Sequence, residues 1–329
     1  MSRGLGDVYK RQAVSRPLPV IGSTAAWSSR TLSGGAECVL APNPSVMTLD
    51  GTNTYLLGAP GSGRCLLVDP GPDDPEHLEA VAARVRQRDA RVTQILLTHG
   101  HADHSAGAAR FAAHFRAPVR ALDPRHTHGR EGLGDTHLVE DADLCLRVVG
   151  TPGHSSDSRS FLIEPDDVVL TGDTVLGRGT TVVAHPDGRL DQYLDSLLRL
   201  RRIAQERGLR QVWPGHGPVS DDPGQLLEAY LEHRAQRLDQ VRAAMAAGAG
   251  SPAEVVAAVY PDLVGPARAA AELSAAAAVD YLRRRLPVDR ISGRGAGDAR
   301  YRPRSPTAIP AISSRGWLSL RGPCSPSRS

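Results

Sequence analysis

The stretch QILLTHGHADHSAGAARF, residues 94–111, constrains this chain more than any other, because an apolar run ends in three histidines and an aspartate within six residues. TQILLT reads as a buried strand and SAGAARFAAHF as a helix, so the polar cluster occupies a strand-to-helix loop. Side chains two apart on extended backbone point the same way, which lets His99 and His101 share one ion. Asp103 and His104 fall past the bend, at the helix entry, placed for a second ion. Four ligand-type side chains in six positions exceed what a solvated loop requires. Other parts of the fold must then bring further donors to the same place.

Later strand ends bring them in order. VVGTPGHSSDS carries His154 after an apolar run and a Pro-Gly turn, VVLTGDT carries Asp173, and QVWPGHGP carries His216. Around these, NTYLLG and RCLLVDPG, split by APGSG, read as a hairpin. DPEHLEAVAARVRQRDA reads as a helix started by Asp74 or Pro75, with Leu78, Val81, Ala82 and Val85 on one face. Strands at PVRAL, LCLRVVG, SFLIE and DVVLTGD and a helix at LDQYLDSLLRLRRIAQ complete an α/β layered pattern, in which ligands collect at strand ends.

The order THxHxDH, then His, Asp and His, resembles the metallo-β-lactamase superfamily over residues 38–220. That resemblance implies an αββα sandwich with a two-metal site at one edge of its sheets. It also implies that His99, His101 and His154 hold one metal, that Asp103, His104 and His216 hold the other, and that Asp173 bridges them. Asp69 in LLVDPG matches the family's supporting aspartate behind the site. Two divalent ions, with zinc best suited to an imidazole-rich set, would lower the pKa of a shared water toward ~7 and supply hydroxide. Asp103 would then be catalytic as well as a ligand, orienting the attacking water. Contacts to substrate are unassigned.

Further stretches narrow the branch. The presence of His104 and Asp173 sets the chain apart from true lactamases, His101 stands where the diiron flavoproteins carry Glu, and the short spacing from Asp173 to His216 leaves no room for an inserted nuclease domain. NPSVMTLDGTNTYLLG, TGDTVLGRGTTV and YLEHRAQRLDQV are similar to the β-lactamase-like protein two family, whose members include endoribonucleases on single-stranded RNA. SPAEVVAAVYPDL and AAELSAAAAVDYLRRRL resemble its small C-terminal helical or winged-helix-like module, either a packing cap or a recognition module. Tyr230, His233 and Arg234 are read as a solvated helix face, with cleft lining as the alternative. The expected activity is a phosphodiesterase acting on single-stranded RNA. A thioester (glyoxalase II-like) or lactone hydrolase, and a metal-bearing binding module without catalysis, are the alternatives.

Charge and composition divide the chain. Net charge is +3 overall, but residues 31–282 carry 23 arginines against 33 carboxylates, so the body is acidic and the two ends basic. The only lysine, Lys10, sits in GDVYKRQ, whose last six residues back-translate to a transposon-end sequencing adapter. Residues 1–30 are expected to be a disordered or artefactual leader, 31–224 the catalytic domain, 225–288 the C-terminal module, and 289–329, rich in Gly, Pro, Ser and Arg, a disordered or artefactual tail. Cys38, Cys65, Cys145 and Cys324 form no CxxC pair, and no apolar run reaches a membrane span. A reducing, cytoplasmic setting with no membrane contact is the expectation, and oligomeric state is left open.

Overall fold

The computed structural model describes residues 21–23 and 25–285. One sheet has the order β1-β2-β3-β4-β5-β6, built from Arg30–Thr31, Glu37–Leu40, Asn53–Leu57, Arg64–Val68, Arg91–Leu96 and Val119–Arg120. The other has the order β11-β10-β9-β8-β7, with β7 Leu138–Asp141, β8 Leu144–Gly150, β9 Arg159–Ile163, β10 Val168–Gly172 and β11 Gln211–Pro214. The expected hairpin forms, β3 pairing antiparallel with β4. Parallel neighbours need a crossover instead of a tight turn. Helix α1 (Pro75–Gln87) joins β4 to β5, α2 (Ala102–Ser105) and α3 (Ala108–Phe115) join β5 to β6, and α4 (Leu190–Arg207) joins β10 to β11.

Alternation along each strand sorts the core into layers. On β4, Leu66 and Val68 enter the space between the sheets, while Cys65 and Leu67 face α1 and α3. Between the sheets they join Leu146, Val148 and Phe161, and Tyr55 stacks on Trp213 with ring centroids 5.8 Å apart. Val149, Leu162 and Val212 face outward from the second sheet onto Tyr193, Leu197 and Leu200 of α4. The result is the expected αββα sandwich. Asp74 caps α1 by accepting from the amides of Glu76 and His77, with Pro75 in the first turn.

Several expectations need correcting. The single helix read over SAGAARFAAHF starts earlier and breaks before α3, because the Gly107 amide donates to the Gly71 carbonyl at 3.0 Å instead of continuing the α2 ladder. The leader boundary at residue 30 is too late. Ile21 and Trp27 are buried, the Trp27 indole closes the inter-sheet core, and its Nε1 donates to Asn53 Oδ1 at 2.8 Å. Residues 1–20 and 286–329, which carry the rest of the expected leader and the whole expected tail, lie outside the described residues.

Beyond β11 the described chain is helical, with α5 Pro223–Ala246, α6 Pro252–Val259 and α7 Gly265–Arg285, and no wing strands follow among the described residues. Leu227, Val255 and Val279 share one core with Leu197 and Leu200, so these helices cap the sandwich. Tyr230, His233 and Arg234 are buried, not solvated. The reason is local. The Tyr230 hydroxyl accepts from the Leu176 amide at 2.8 Å and Arg234 donates to the Thr181 carbonyl, which pins this face of α5 against the segment after β10. No helix among the described residues is long and apolar enough to cross a membrane.

His77 gives the fold a pH dependence. The Thr54 hydroxyl donates to the Asp69 carbonyl at 2.6 Å and so accepts from His77 Nε2 at 2.8 Å, leaving the buried Nδ1 without a partner. Protonating Nδ1 would bury an unpaired N–H, and burial holds the pKa down at about 4. An unfolded histidine titrates near ~6.5, so the unfolded chain takes the proton first, and stability is full above that pH and falls as pH drops toward 4. His77→Gln should flatten the fall in unfolding free energy, measured by urea titration, between pH 6.5 and 4.5 by about 1 kcal/mol or more. Equal slopes in the two chains would show that His77 is not the source.

Candidate metal centre

The two sheets are stitched together where the predicted ligands lie. The Asn53 amide donates to the Gly215 carbonyl, the Gly215 amide to the Gly172 carbonyl and the Arg159 amide to the Thr98 carbonyl, each at 2.8 Å, which draws the ends of β5, β10 and β11 to one margin. There the side chains form two groups, His99, His101 and His154 in one and Asp103, His104, Asp173 and His216 in the other. Asp173 Oδ2 lies 3.3 Å from His216 Nε2 and 3.7 Å from His154 Nε2, and so stands between the groups. Two glycines make the crowding possible. At Gly153, with φ of +131°, a Cβ would lie 2.3 Å from the Tyr193 amide nitrogen, and at Gly215 it would lie 2.4 Å from Asp173 Oδ1.

Backbone and side-chain acceptors decide which nitrogen of each ring faces inward. His154 Nδ1 donates to the Val182 carbonyl at 2.8 Å, His216 Nδ1 to the Gly51 carbonyl at 3.1 Å, and His104 Nδ1 to Asp69 Oδ2 at 2.9 Å. The Thr98 hydroxyl donates to Asp69 Oδ2 at 2.7 Å and therefore accepts from His99 Nδ1 at 3.0 Å. In all four rings Nε2 is left pointing into the site. Asp69 orients one ligand of each group, His104 directly and His99 through Thr98. Sequence reading found Asp69 but missed Thr98 and the Gly51 and Val182 carbonyls; only the position of Thr98, next to His99, was available as a signal.

This arrangement fits a pair of divalent cations. His104 Nε2 and His216 Nε2 are 3.2 Å apart, and His99 Nε2 and His154 Nε2 each lie 3.0 Å from His101 Nδ1. With His104 and His216 neutral and each Nδ1 already donating, their Nε2 lone pairs face one another, which a shared cation or proton relieves. Asp173 Oδ1 is buried without a hydrogen-bond partner. The donor set of imidazoles and carboxylates suits zinc or another first-row metal.

The charges divide in the same way. Burial pushes the His99 pKa well below its usual value, helped by His104, and lowers that of His154. In the second group burial opposes charge but the carboxylates outweigh it. His216 is pushed up to about 9 by Asp173 and Asp103, and His104 is raised by Asp173 and Asp69. Burial likewise opposes ionisation of Asp173, yet His216 and His104 hold its carboxyl well below the usual range. Without metal, protons bind this group together, and a cation would replace them. His101 is exposed and Asp103 partly so, which makes their side the open face of the site.

The remaining histidines of this half of the chain stay outside both groups. His114, His128 and His137 are exposed and His126 is half-buried. His128→Ala should leave metal content per chain unchanged, because His128 meets the fold through its backbone pairing with Val119. Loss of an ion on elemental analysis would mean that the ligand set is incomplete.

Known proteins share these features. The family profile described as "Metallo-beta-lactamase superfamily" matches residues 47–216. The "Lactamase-like protein aptB" of Emericella nidulans is 36% identical over 64% of this chain and 67% of its own length. The "Atrochrysone carboxyl ACP thioesterase" of Aspergillus fumigatus is 32% identical over 68% of this chain and 72% of its own, and the "Beta-lactamase-like protein 2 homolog" of Caenorhabditis elegans is 31% identical over 63% and 69%. A beta-lactamase domain protein from Burkholderia ambifaria has the same fold, with a TM-score of 0.67 at 22% identity over 80% of this chain and 92% of that one. The profile match runs from before Gly51, whose carbonyl anchors His216, to His216 itself, so no ligand lies outside the family's span. The chain therefore belongs to the metallo-β-lactamase superfamily and is one of its metal-dependent hydrolases.

Proposed function

We propose that this chain hydrolyses acyl thioesters. The observation that carries the reading is the segment after β10, which serves the metal centre on one side and an apolar pocket on the other. The Thr181 hydroxyl donates to the Asp173 carbonyl and the Val182 carbonyl holds His154, while Thr181, Val182 and Val183 line a pocket of about 320 Å³ with Leu238, Val241 and Val255. A pocket of that size and lining suits an acyl body. The Aspergillus fumigatus relative, named as an ACP thioesterase, supports the same reading.

Single-stranded RNA, the first expectation from sequence, becomes the second reading. Its support is the similarity to the Caenorhabditis elegans relative. Against it, a polyanion needs a basic track, and the body from residue 31 to 282 has ten more carboxylates than arginines.

The chain's own groups divide the work. A substrate entering from the open face meets His101 and Asp103, and Asp103 Oδ2, 3.2 Å from His216 Nε2, is the accessible carboxylate able to orient a water and take its proton. Asp173 and the buried imidazoles hold the charge of the centre in place, with Asp69 fixing two of the rings. Divalent ions held there would lower the pKa of water toward ~7 and polarise the thioester carbonyl.

The metal-loaded chain should cleave the octanoyl thioester of N-acetylcysteamine with kcat/KM of roughly 10⁴ M⁻¹ s⁻¹ or more, and should leave a single-stranded oligoribonucleotide intact. RNA cleavage without thioester turnover would overturn the reading.

A further inference from the structure

The wall of the pocket is not uniformly apolar. Where α5 meets the 180–183 segment, His233, Arg234 and Arg237 line it, and the rest is made by residues such as Val241, Val255, Val259 and Ala275. Both arginines are directed at neutral groups. Arg234 reaches the Thr181 carbonyl and stacks over Tyr193, while Arg237 reaches His233 Nε2 at 3.3 Å and Gln240 Oε1 at 2.8 Å and stacks over Tyr260. Among the described residues no carboxylate pairs with either. Because Arg237 donates to His233 Nε2, that ring carries its hydrogen on Nδ1, and burial with the two neighbouring cations holds it neutral, its pKa down at about 3.

Two donors here have no acceptor. His233 Nδ1 and Arg234 Nε are both buried and unpartnered. A buried donor left unmade is costly, and an unpaired cation in apolar surroundings is more so. A ligand in the pocket would meet the two guanidinium-bearing side chains that line it, and a negative charge on that ligand would answer them. The apolar remainder of the pocket does not suit an RNA backbone. It suits a molecule that is apolar along its length and anionic at one place.

We propose that this pocket is a subsite for an amphipathic anion, an acyl body bearing an acidic group, whose charge lies against Arg234 and Arg237. Arg234 and the metal ligand Asp173 meet the same residue, Thr181, so the anionic place lies on the metal-centre side of the pocket. That the ligand is part of the substrate rests on the thioesterase reading; that the pocket prefers an amphipathic anion does not.

The test uses the full metal-loaded chain with octane-1-sulfonate, a poor metal ligand, and octan-1-ol, followed by titration calorimetry. The sulfonate should bind at least ~10-fold more tightly than the alcohol. Arg237→Gln should remove most of that difference, Arg237→Lys should keep it, and Val241→Trp, which fills the pocket, should weaken both ligands. In kinetics, the 7-carboxyheptanoyl thioester of N-acetylcysteamine should exceed its octanoyl counterpart in kcat/KM, with Arg237→Gln cancelling the preference. Equal affinity for sulfonate and alcohol, or a preference that survives Arg237→Gln, overturns the subsite. If the chain cleaves RNA and no thioester while the sulfonate preference holds, the function falls and the subsite stands. If thioesters are cleaved with no charge preference and Arg237→Gln is silent, the reverse is true.

Discussion

Asp173→Ala is expected to lower kcat/KM by about 10³-fold or more, beyond the roughly 10–100-fold typical of partners behind the ligands. Asp173 is the side chain that reaches both groups, 3.3 Å from His216 Nε2 and 3.7 Å from His154 Nε2. Its carboxylate balances His104 and His216, whose raised pKa values depend on it. Without it, those imidazoles lose the charge that holds a proton or a cation among them. Metal content should drop from two ions per chain to one or fewer, while the circular dichroism spectrum stays that of the parent, since the αββα core lies away from this side chain. Asp173→Asn keeps the shape and removes the charge, so it should fail in the same way. Two metals and full activity in either variant would place Asp173 outside the centre.

The second large effect is expected at Asp69. Its carboxylate accepts from the Thr98 amide at 2.8 Å, the Thr98 hydroxyl at 2.7 Å and His104 Nδ1 at 2.9 Å, all buried. Asp69→Ala strands three donors at about 1–3 kcal/mol each, so a loss of several kcal/mol in unfolding free energy should accompany loss of metal from both groups. Asp69→Asn is little better, because its NH₂ must face one of these donors. Thr98→Val removes only the arm that reaches His99. It should weaken binding of one ion by roughly 10–100-fold and leave the other, visible as a single altered step in a cobalt titration. Two altered steps in Thr98→Val, or unchanged metal affinity in Asp69→Ala, would refute the shared role given to Asp69.

Donor identity was legible because each of His99, Asp173 and His216 follows an apolar run within three residues of a strand end, and strand ends in layered α/β folds converge. Strands such as β4 and helices such as α1 were legible too, since periods of 2 and 3.6 are local properties of the chain. The burial of Tyr230, His233 and Arg234 was not. Their polar character reads as a solvated face until α5 is seen against the Leu176 and Thr181 backbone, more than fifty residues away in sequence.

By itself, then, the sequence determined which residues could bind metal, in what order, and many of the strands and helices, because these follow from side-chain chemistry and from spacing along a short piece of chain. Only the tertiary structure decided which ring nitrogen faces the centre, since that depends on acceptors from remote segments: the Gly51 carbonyl for His216 and the Val182 carbonyl for His154. It alone placed Trp27 in the core and left His233 Nδ1 and Arg234 Nε without acceptors. Hydrogen-bond satisfaction and burial are sums over neighbours in space, and those neighbours are set by folding and not by position in the chain.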